Sequence, residues 1–506
     1  MKKLIHYSVL VLLLFTFNAC EEGFDDLNEN KVSPTSINPV FILNDAIINT
    51  SFPGGTLVYE IGIVQQIVSP NSGVLTGANY NQDNRNVTSS NWQRYYRSVI
   101  KSTRDVINRV QDDPARSNLL NMARILQANA FMILADTYGD VPYLEGGKGF
   151  TAQITLPKYD AQQVIYTDLI TELQSAAAAL DASKPIESAD VLYAGDIAKW
   201  KKLGYSLLLR AGMRLSKADA AKAQQTVSAA FQGGVITSNA DNALVRHDNN
   251  FQNGIGATLN GAEANNFYLV QGFVNYLKNT NDPRLGAIAV RYVGAKSGPE
   301  QRADKASSDP ALQIGMPMGF DNSGIAGVAA AEGLASFYDY SQLDRTRMAK
   351  LNAPMFLVTA AQTQLLLAEA AQRGWVSGAV ETFYTNGVRA HIEQMGSYDP
   401  KSAVAPEAID AYLVANPFVP ANALEQINTQ YWVASFLNGP EVFANFRRSG
   451  FPVLTPNPFP GKDIKGDFIR RLTYPDSEIS VNSSNVQEAI SRMGADDLDT
   501  RVWWDK

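Results

Sequence analysis

The chain has 506 residues, 45% hydrophobic and 18% charged, with a formal net charge of -7. That length buries a large core without staples, and a single cysteine, Cys20, excludes an internal disulfide and a cysteine-based metal site. Mild acidity with no long basic block argues against nucleic acid, whose affinity rests on neutralised phosphates.

Lys2 and Lys3 precede a mainly apolar stretch, Leu4 to Phe17, which has signal-peptide length and is short for a membrane span. Asn18-Ala19-Cys20 ends it. A small residue directly before a cysteine is the pattern of a bacterial lipoprotein signal, so 1–19 is expected to be cleaved and Cys20 to become a diacylated N-terminus. Acyl chains gain about 0.8 kcal/mol per buried CH₂, so several of them hold a protein at a membrane. The acidic run Glu21-Glu22-Gly23-Phe24-Asp25-Asp26 resembles the export tag of lipoproteins displayed outside the cell. Residues 20–40 read as a polar tether. Asp26-x-Asn28-x-Asn30 begins like a calcium loop, but Lys31 stands where that loop needs glycine and Ile37 where it needs glutamate.

From Val40 on, apolar residues recur at helical spacing. Leu119, Met122, Leu126, Ala130 and Ile133 share one face, as do Ile165, Leu169, Leu173, Ala176 and Leu180. Trp200, Leu203, Leu207, Ala211 and Leu215 form a third stripe, and Leu357, Ala361, Leu365 and Ala368 a fourth. Helices are predicted over 41–50, 56–68, 91–111, 117–134, 160–180, 196–215, 218–232, 354–371, 379–394, 406–415 and 422–437. Short gaps imply antiparallel hairpins, and 354–391 has the look of a tetratricopeptide-type pair. Trp92, Tyr95 and Tyr96 are assigned to helix packing, and Trp503-Trp504 to docking of the tail. Two long regions lack the pattern, 69–90 and 239–350. Structureless stretches of that length are often functional.

Catalytic signatures are absent from the sequence: no phosphate loop, dinucleotide fingerprint, GxSxG elbow or HExxH. His247 and His391 lie far apart and read as loop or surface residues. A carboxylate pair of the glycosidase type is not selected by spacing among 50 acidic residues. No cofactor and no metal are expected.

Six segments, in order, resemble the SusD/RagB family of outer-membrane nutrient-binding lipoproteins. They are Ala135 to Tyr143 (ADTYGDVPY), Asp196 to Arg210 around Lys199-Trp200, Asp282-Pro283-Arg284-Leu285, Leu367 to Gly374 (LAEAAQRG), Glu441 to Pro452 with Arg447-Arg448, and Arg470 to Pro475 with Glu478 and Asn482. Gly204-Tyr205 departs from the family's small-Asn pair. The motif cations Lys199, Arg210, Arg447, Arg448 and Arg471 are expected to pair with carboxylates such as Glu369 or Glu441.

The resemblance implies an all-α fold: a single domain over 41–506, an α-α superhelix of tetratricopeptide-like helix pairs with long irregular ligand-face loops and few short strands. It implies a lipid-anchored outer-membrane protein facing the cell exterior. Such a protein captures an oligosaccharide or peptide and delivers it to a SusC-like TonB-dependent barrel, breaking no bond. Two alternatives stay open, a surface hydrolase using a carboxylate pair and a structural adaptor of the transporter complex without its own ligand. Sugars present apolar faces and hydroxyl rims, which aromatic rings and directional amide or charged groups match. The loops therefore nominate Tyr80, Asn81, Asp83 and Arg85 in one cluster, Phe320 and Asn322 in a second, and Tyr338 and Tyr340 in a third.

Overall fold

The structure, a computed structural model, describes residues 37–506; the signal segment, Cys20 and nearly all of the tether lie outside the described residues. Asn38 accepts the Val40 amide at 3.2 Å, and Pro39 takes the first helical position, where a missing N–H costs nothing. These start α1 (Pro39–Asn49). A longer rod follows, made of α2 (Arg85–Arg94), a π-helical stretch over Tyr95–Ile100, and α3 (Lys101–Val110).

The rod packs against α4 (Ser117–Tyr138), which pairs with α5 (Gln162–Ala179). Next come α6 (Ile197–Arg214), N-capped by Asp196, and its partner α7 (Ala220–Gly233). Gly139 ends α4 with φ +86°, and a Cβ there would lie 2.2 Å from the Met493 sulfur. Gly204 sits where α6 crosses α4 and α5; a Cβ would stand 2.8 Å from the Ala177 Cβ and 3.0 Å from Ile125 Cδ1. The departure at 204 is thus a close helix crossing.

The second half repeats the scheme. The capping box Thr359/Gln362 opens α10 (Ala360–Gln372), which pairs with α11 (Val380–Gln394) and packs on α13 (Ala423–Ala434). Between the halves lie α8 (Gln271–Asn279) and α9 (Asn322–Ala331); α12 (Pro406–Ala415), α14 (Gly439–Ser449) and α15 (Ser483–Met493) complete the helices longer than two turns used below. The paired helices bury one continuous apolar core, and two small satellite cores sit under the 239–350 region. Among the described residues, no helix is long and apolar enough to cross a membrane.

Strands are few and short. β1 (Ile67–Val68) pairs antiparallel with β3 (Tyr268–Leu269), and β2 (Ala243–Val245) with β7 (Met355–Val358). β4 (Ala289–Tyr292) lies between β5 (Ala306–Ser307) and β6 (Gln342–Leu343). Three predicted boundaries change accordingly. The helix expected over 56–68 is two short turns and β1, because Gln65 has φ +57° and breaks the ladder. Residues 355–358 form β7, and the helix starts at Ala360. The rod begins at Arg85, six residues before the expected start.

The motif cations hold the pairs together. Arg448 makes a fork on Glu369, both contacts at 2.7 Å, and Arg210 and Arg214 meet Glu441 at 3.1 and 2.5 Å. Arg471 pairs with Asp496 at 2.8 Å. Two expectations fail. Arg447 donates to the backbone carbonyls of Asp136 and Arg470, each at 2.7 Å, and lies 3.7 Å from the Phe443 ring centre. Lys199 donates to the Ala240 carbonyl at 2.9 Å. Trp504 is fully buried with its indole N–H on Asp136 at 2.8 Å, so the tail docks as expected.

Candidate functional site

The 69–84 loop is knitted to two other loops by side-chain amides. Asn79 donates to the Ser69 carbonyl at 2.7 Å and the Phe320 carbonyl at 3.2 Å, and accepts from the Gly319 amide at 2.9 Å. Asn457 donates to the Asn79 carbonyl at 2.6 Å, and Gln82 to the Gly461 carbonyl at 2.8 Å. Each bond gives a partner to a backbone group that neither helix nor sheet satisfies. The nominated 80–85 and 320–322 clusters therefore belong to one assembly, and no periodic signal could have shown it.

The nominated residues divide by what their side chains already hold. Tyr80 is 1% exposed, donates to the Pro70 carbonyl at 2.6 Å and packs edge-on against Phe459. Tyr340 is fully buried and donates to Glu332 at 2.9 Å. Asn81 is buried with φ +49°. Asp83 and Arg85 face each other at 3.2 Å; Thr473 donates to Asp83, and Arg85 holds Asp496 at 2.7 Å and the Tyr474 carbonyl at 2.8 Å. Burial pushes the Asp83 carboxyl up, against the opposing pull of Thr473 and Arg85. These five side chains build the loops.

The other three have side chains less taken up, two of them half-buried and one exposed. Phe320 is half-buried on a satellite core with Tyr268, Met316 and Tyr340. Asn322 is exposed in the first turn of α9. Tyr338 is half-buried and stacked on Phe337, ring centres 4.2 Å apart. Phe337 packs on the same satellite core as Phe320 and meets Tyr268 edge-on, so the second and third clusters share one foundation.

A cavity of about 380 Å³, within the usual range for small-ligand sites, has Gln301 and Tyr292 in its wall, and these connect it to Tyr338. Tyr292 forms part of its wall and also packs under Tyr338. Arg345 lies 5.5 Å over the Tyr292 ring and donates to its hydroxyl at 3.1 Å. Gln301 donates to the Tyr338 carbonyl at 2.8 Å, while its buried carbonyl oxygen has no partner among the described residues. The Tyr292 ring, the Arg345 guanidinium, the Asn260 and Gln301 amides, the Asp344 carboxylate and the hydroxyls of Ser308 and Thr346 line the cavity. Tyr292, Gln301 and Arg345 escaped the sequence reading because they sit singly on short strands and turns.

Asp136 and Glu441, two buried carboxylates, share Arg214 between them at 3.0 and 2.5 Å, and burial there is outweighed for Glu441 by Arg210 and Arg214, which hold it below the usual range. His391 is buried against Arg284 at 3.0 Å, not at the surface as expected; burial and that guanidinium drive its pKa well down, so it is neutral. His247 lies in a loop between Ser51 and the Phe251 carbonyl. Among the described residues, no group of three His, Cys, Asp or Glu is placed to hold a metal.

The SusD-like family model, described as "Starch-binding associating with outer membrane", matches residues 30–475. A solved structure titled as a chitin-binding protein is 32% identical, covers 92% of this chain and 100% of its own, and superposes with a TM-score of 0.82. A Bacteroidetes AC2a SusD-like structure is 26% identical over 93% of this chain and 100% of its own, with a TM-score of 0.80. A chitin-binding SusD homolog from Flavobacterium johnsoniae is 22% identical over 92% of this chain and 98% of its own, with a TM-score of 0.75, a likeness of fold. Among curated proteins none matches the chain.

Proposed function

We infer the function from one premise: the chain belongs to the SusD-like family. It is a glycan-capturing protein of the outer membrane, and we assign it a β-linked aminosugar oligosaccharide of the chitin type. The observation that carries this is the stacked Phe337–Tyr338 pair beside the cavity of Tyr292, Gln301 and Arg345. A pyranose ring lays its apolar face on such a ring and turns its hydroxyls and N-acetyl group to amides and a guanidinium. The 32% relative titled as chitin-binding selects the sugar class.

Phe320, Asn322 and Tyr338 contact the ligand in this reading; Tyr80, Asn81, Asp83, Arg85 and Tyr340 hold the loops that present them. No bond is broken in this reading, and the buried carboxylates of Asp136, Glu441 and Glu369 are held by Arg214, Arg210 and Arg448. Residues 41–506 act as one unit, tethered through lipid on Cys20 at the cell exterior, and pass the ligand to a SusC-like TonB-dependent barrel.

Isothermal titration of the purified protein against chito-oligosaccharides, malto-oligosaccharides and peptides, with product analysis, tests the assignment. Saturable binding of intact chito-oligosaccharide supports it. Preference for maltose chains or peptides replaces the ligand class, and cleaved product replaces the binding role with a hydrolytic one.

A further inference from the structure

The wall of the Tyr292 cavity carries one charge that no neighbour balances. Arg345 is half-buried there, 5.5 Å over the Tyr292 ring, with one N–H on the Tyr292 hydroxyl at 3.1 Å. It makes no ion pair among the described residues. Ring and hydroxyl hold the guanidinium still, and most of its five N–H donors remain open.

The one carboxylate in the same wall is already saturated. Asp344 is buried; Thr346 gives one of its oxygens an amide at 2.8 Å and a hydroxyl at 2.7 Å, and Arg347 holds the other at 2.5 Å. Arg347 is fixed in turn by the Gly286 carbonyl at 2.8 Å. Charges on the neighbouring elements cancel in pairs. In the turn that carries Gln301 and Ala303, Glu300 meets Lys305 at 2.5 Å and Arg302 meets Asp304 at 3.0 Å. On β4, Arg291 pairs with Asp339 at 3.0 Å, and beyond Arg347, Lys350 pairs with Asp399 at 2.9 Å. Glu263, three residues after Asn260, accepts from the Asn266 amide at 2.7 Å and stays outside the wall.

Neutral acceptors share the opening with this cation. Asn260 ends the short helix Gly254–Asn260 and is exposed. Its amide hydrogens go to the Gly256 and Ala349 carbonyls at 2.8 and 2.7 Å, so its side-chain carbonyl is the group it offers the cavity. A fixed cationic donor and a neutral acceptor together complement an acetamide, whose oxygen accepts from Arg345 and whose N–H donates to Asn260. A protonated amine on the same sugar carbon has donors only. It gives the guanidinium nothing to bond, and the two like charges repel. The Tyr292 face, the natural place for a cation, is occupied by Arg345 itself.

We propose that Arg345 is a specificity-determining residue, which admits N-acetylated aminosugars to this cavity and turns away deacetylated ones. The inference rests on the glycan-capture reading above. Discrimination of this kind comes from repelling the competitor as well as from binding the favoured ligand.

Isothermal titration of the purified protein with the hexasaccharides of N-acetylglucosamine and of glucosamine tests it, below neutrality where the amines are protonated, in wild type, Arg345→Gln and Arg345→Glu. Melting temperatures certify that both variants are folded. Wild type is expected to favour the acetylated sugar at least tenfold, Arg345→Gln to narrow that preference to within threefold, and Arg345→Glu to reverse it. Raising the pH until the amines are neutral should strengthen glucosamine hexasaccharide binding to wild type at least threefold and leave the acetylated sugar unchanged. Equal binding of both sugars by wild type below neutrality, or a glucosamine affinity flat with pH, overturns the exclusion and leaves glycan capture standing. A preference that survives both substitutions overturns Arg345 as its source. Where a variant binds neither sugar, the pH dependence of wild type decides, since Arg345 is the one cation lining the cavity. No binding of the acetylated sugar by wild type overturns the chitin-type assignment together with this selectivity.

Discussion

Tyr80 and Tyr338 both lie in loops, each beside amide or charged residues, and the molecule uses them in opposite ways. Tyr80 spends its hydroxyl on the Pro70 carbonyl and its ring on Phe459, and disappears from the surface. Tyr338 stacks on Phe337 and stays half open beside a polar cavity. The same contrast separates the regions at large. The helical body is locked by charged side chains paired with each other, as Arg448 with Glu369, whereas the loop face is locked by side-chain amides on backbone carbonyls, as Asn79 and Asn457. Ion pairs leave nothing to offer a ligand, but amide clamps hold an irregular backbone still while rings project from it.

The contrast breaks most sharply at Glu369. Removing one partner of a buried pair costs about 3–5 kcal/mol, so Arg448→Ala should lower the denaturation midpoint more than any loop variant. The pair also responds to pH. Burial alone would raise the Glu369 pKa, but Arg448 and Arg373 outweigh it and hold the group at about 2. The folded value lies below that of an unfolded glutamate, about 4.3. Stability from this pair is therefore complete above that value and is lost as the pH falls through it toward 2. Acid denaturation of wild type and Glu369→Gln would expose the difference.

Tyr80→Ala comes next, at about 3 kcal/mol by analogy with buried aromatic truncations. Its signature is a drop in melting temperature that precedes any loss of binding. A binding loss at unchanged stability would return Tyr80 to the ligand.

Glu60 sharpens the comparison from inside the body. It is buried, with Asn91 at 2.5 Å and no paired arginine among the described residues, and burial raises its pKa to about 7. Here the folded value lies above the unfolded one, so the carboxyl costs nothing at low pH and destabilises progressively as the pH rises from about 4.5 through 7. Glu60→Gln should gain about 1–3 kcal/mol at pH 8 and nothing at pH 4, read from urea melts at both.

Tyr338→Ala should weaken chito-oligosaccharide binding about tenfold, near 1.4 kcal/mol, with stability changed by less. Asn322→Ala should be the mildest, within about 0.5 kcal/mol on either scale, because its side chain is exposed at a helix start.

The stripes at Leu119 to Ile133 and Trp200 to Leu215 made the scaffold readable, since each face repeats locally. The exceptions have non-local causes. Met355-Phe356-Leu357-Val358 is an apolar run that suits helix or strand equally; its choice is made by Ala243–Val245, more than a hundred residues earlier. Arg85 to Ser90 is polar and without a stripe, and its helix is supported by Tyr138, whose hydroxyl donates to the Thr88 carbonyl, and by the Glu60–Asn91 bond. In the loops, composition showed where aromatic and amide residues gather. It did not show which rings are covered, because burial of Tyr80 depends on Phe459 and burial of Tyr340 on a satellite core assembled from segments far apart.

Asp136 gathers Tyr166 and Trp504 on one oxygen and Arg214 on the other, and its carbonyl takes Arg447. In a chain made from its N-terminus, these partners arrive one after another, and the last comes 368 positions after Asp136 itself. The centre of the first half is therefore completed by the last few residues of the chain, and removing the tail before Trp504 takes one donor from the Asp136 carboxylate while Arg214 and Tyr166 remain.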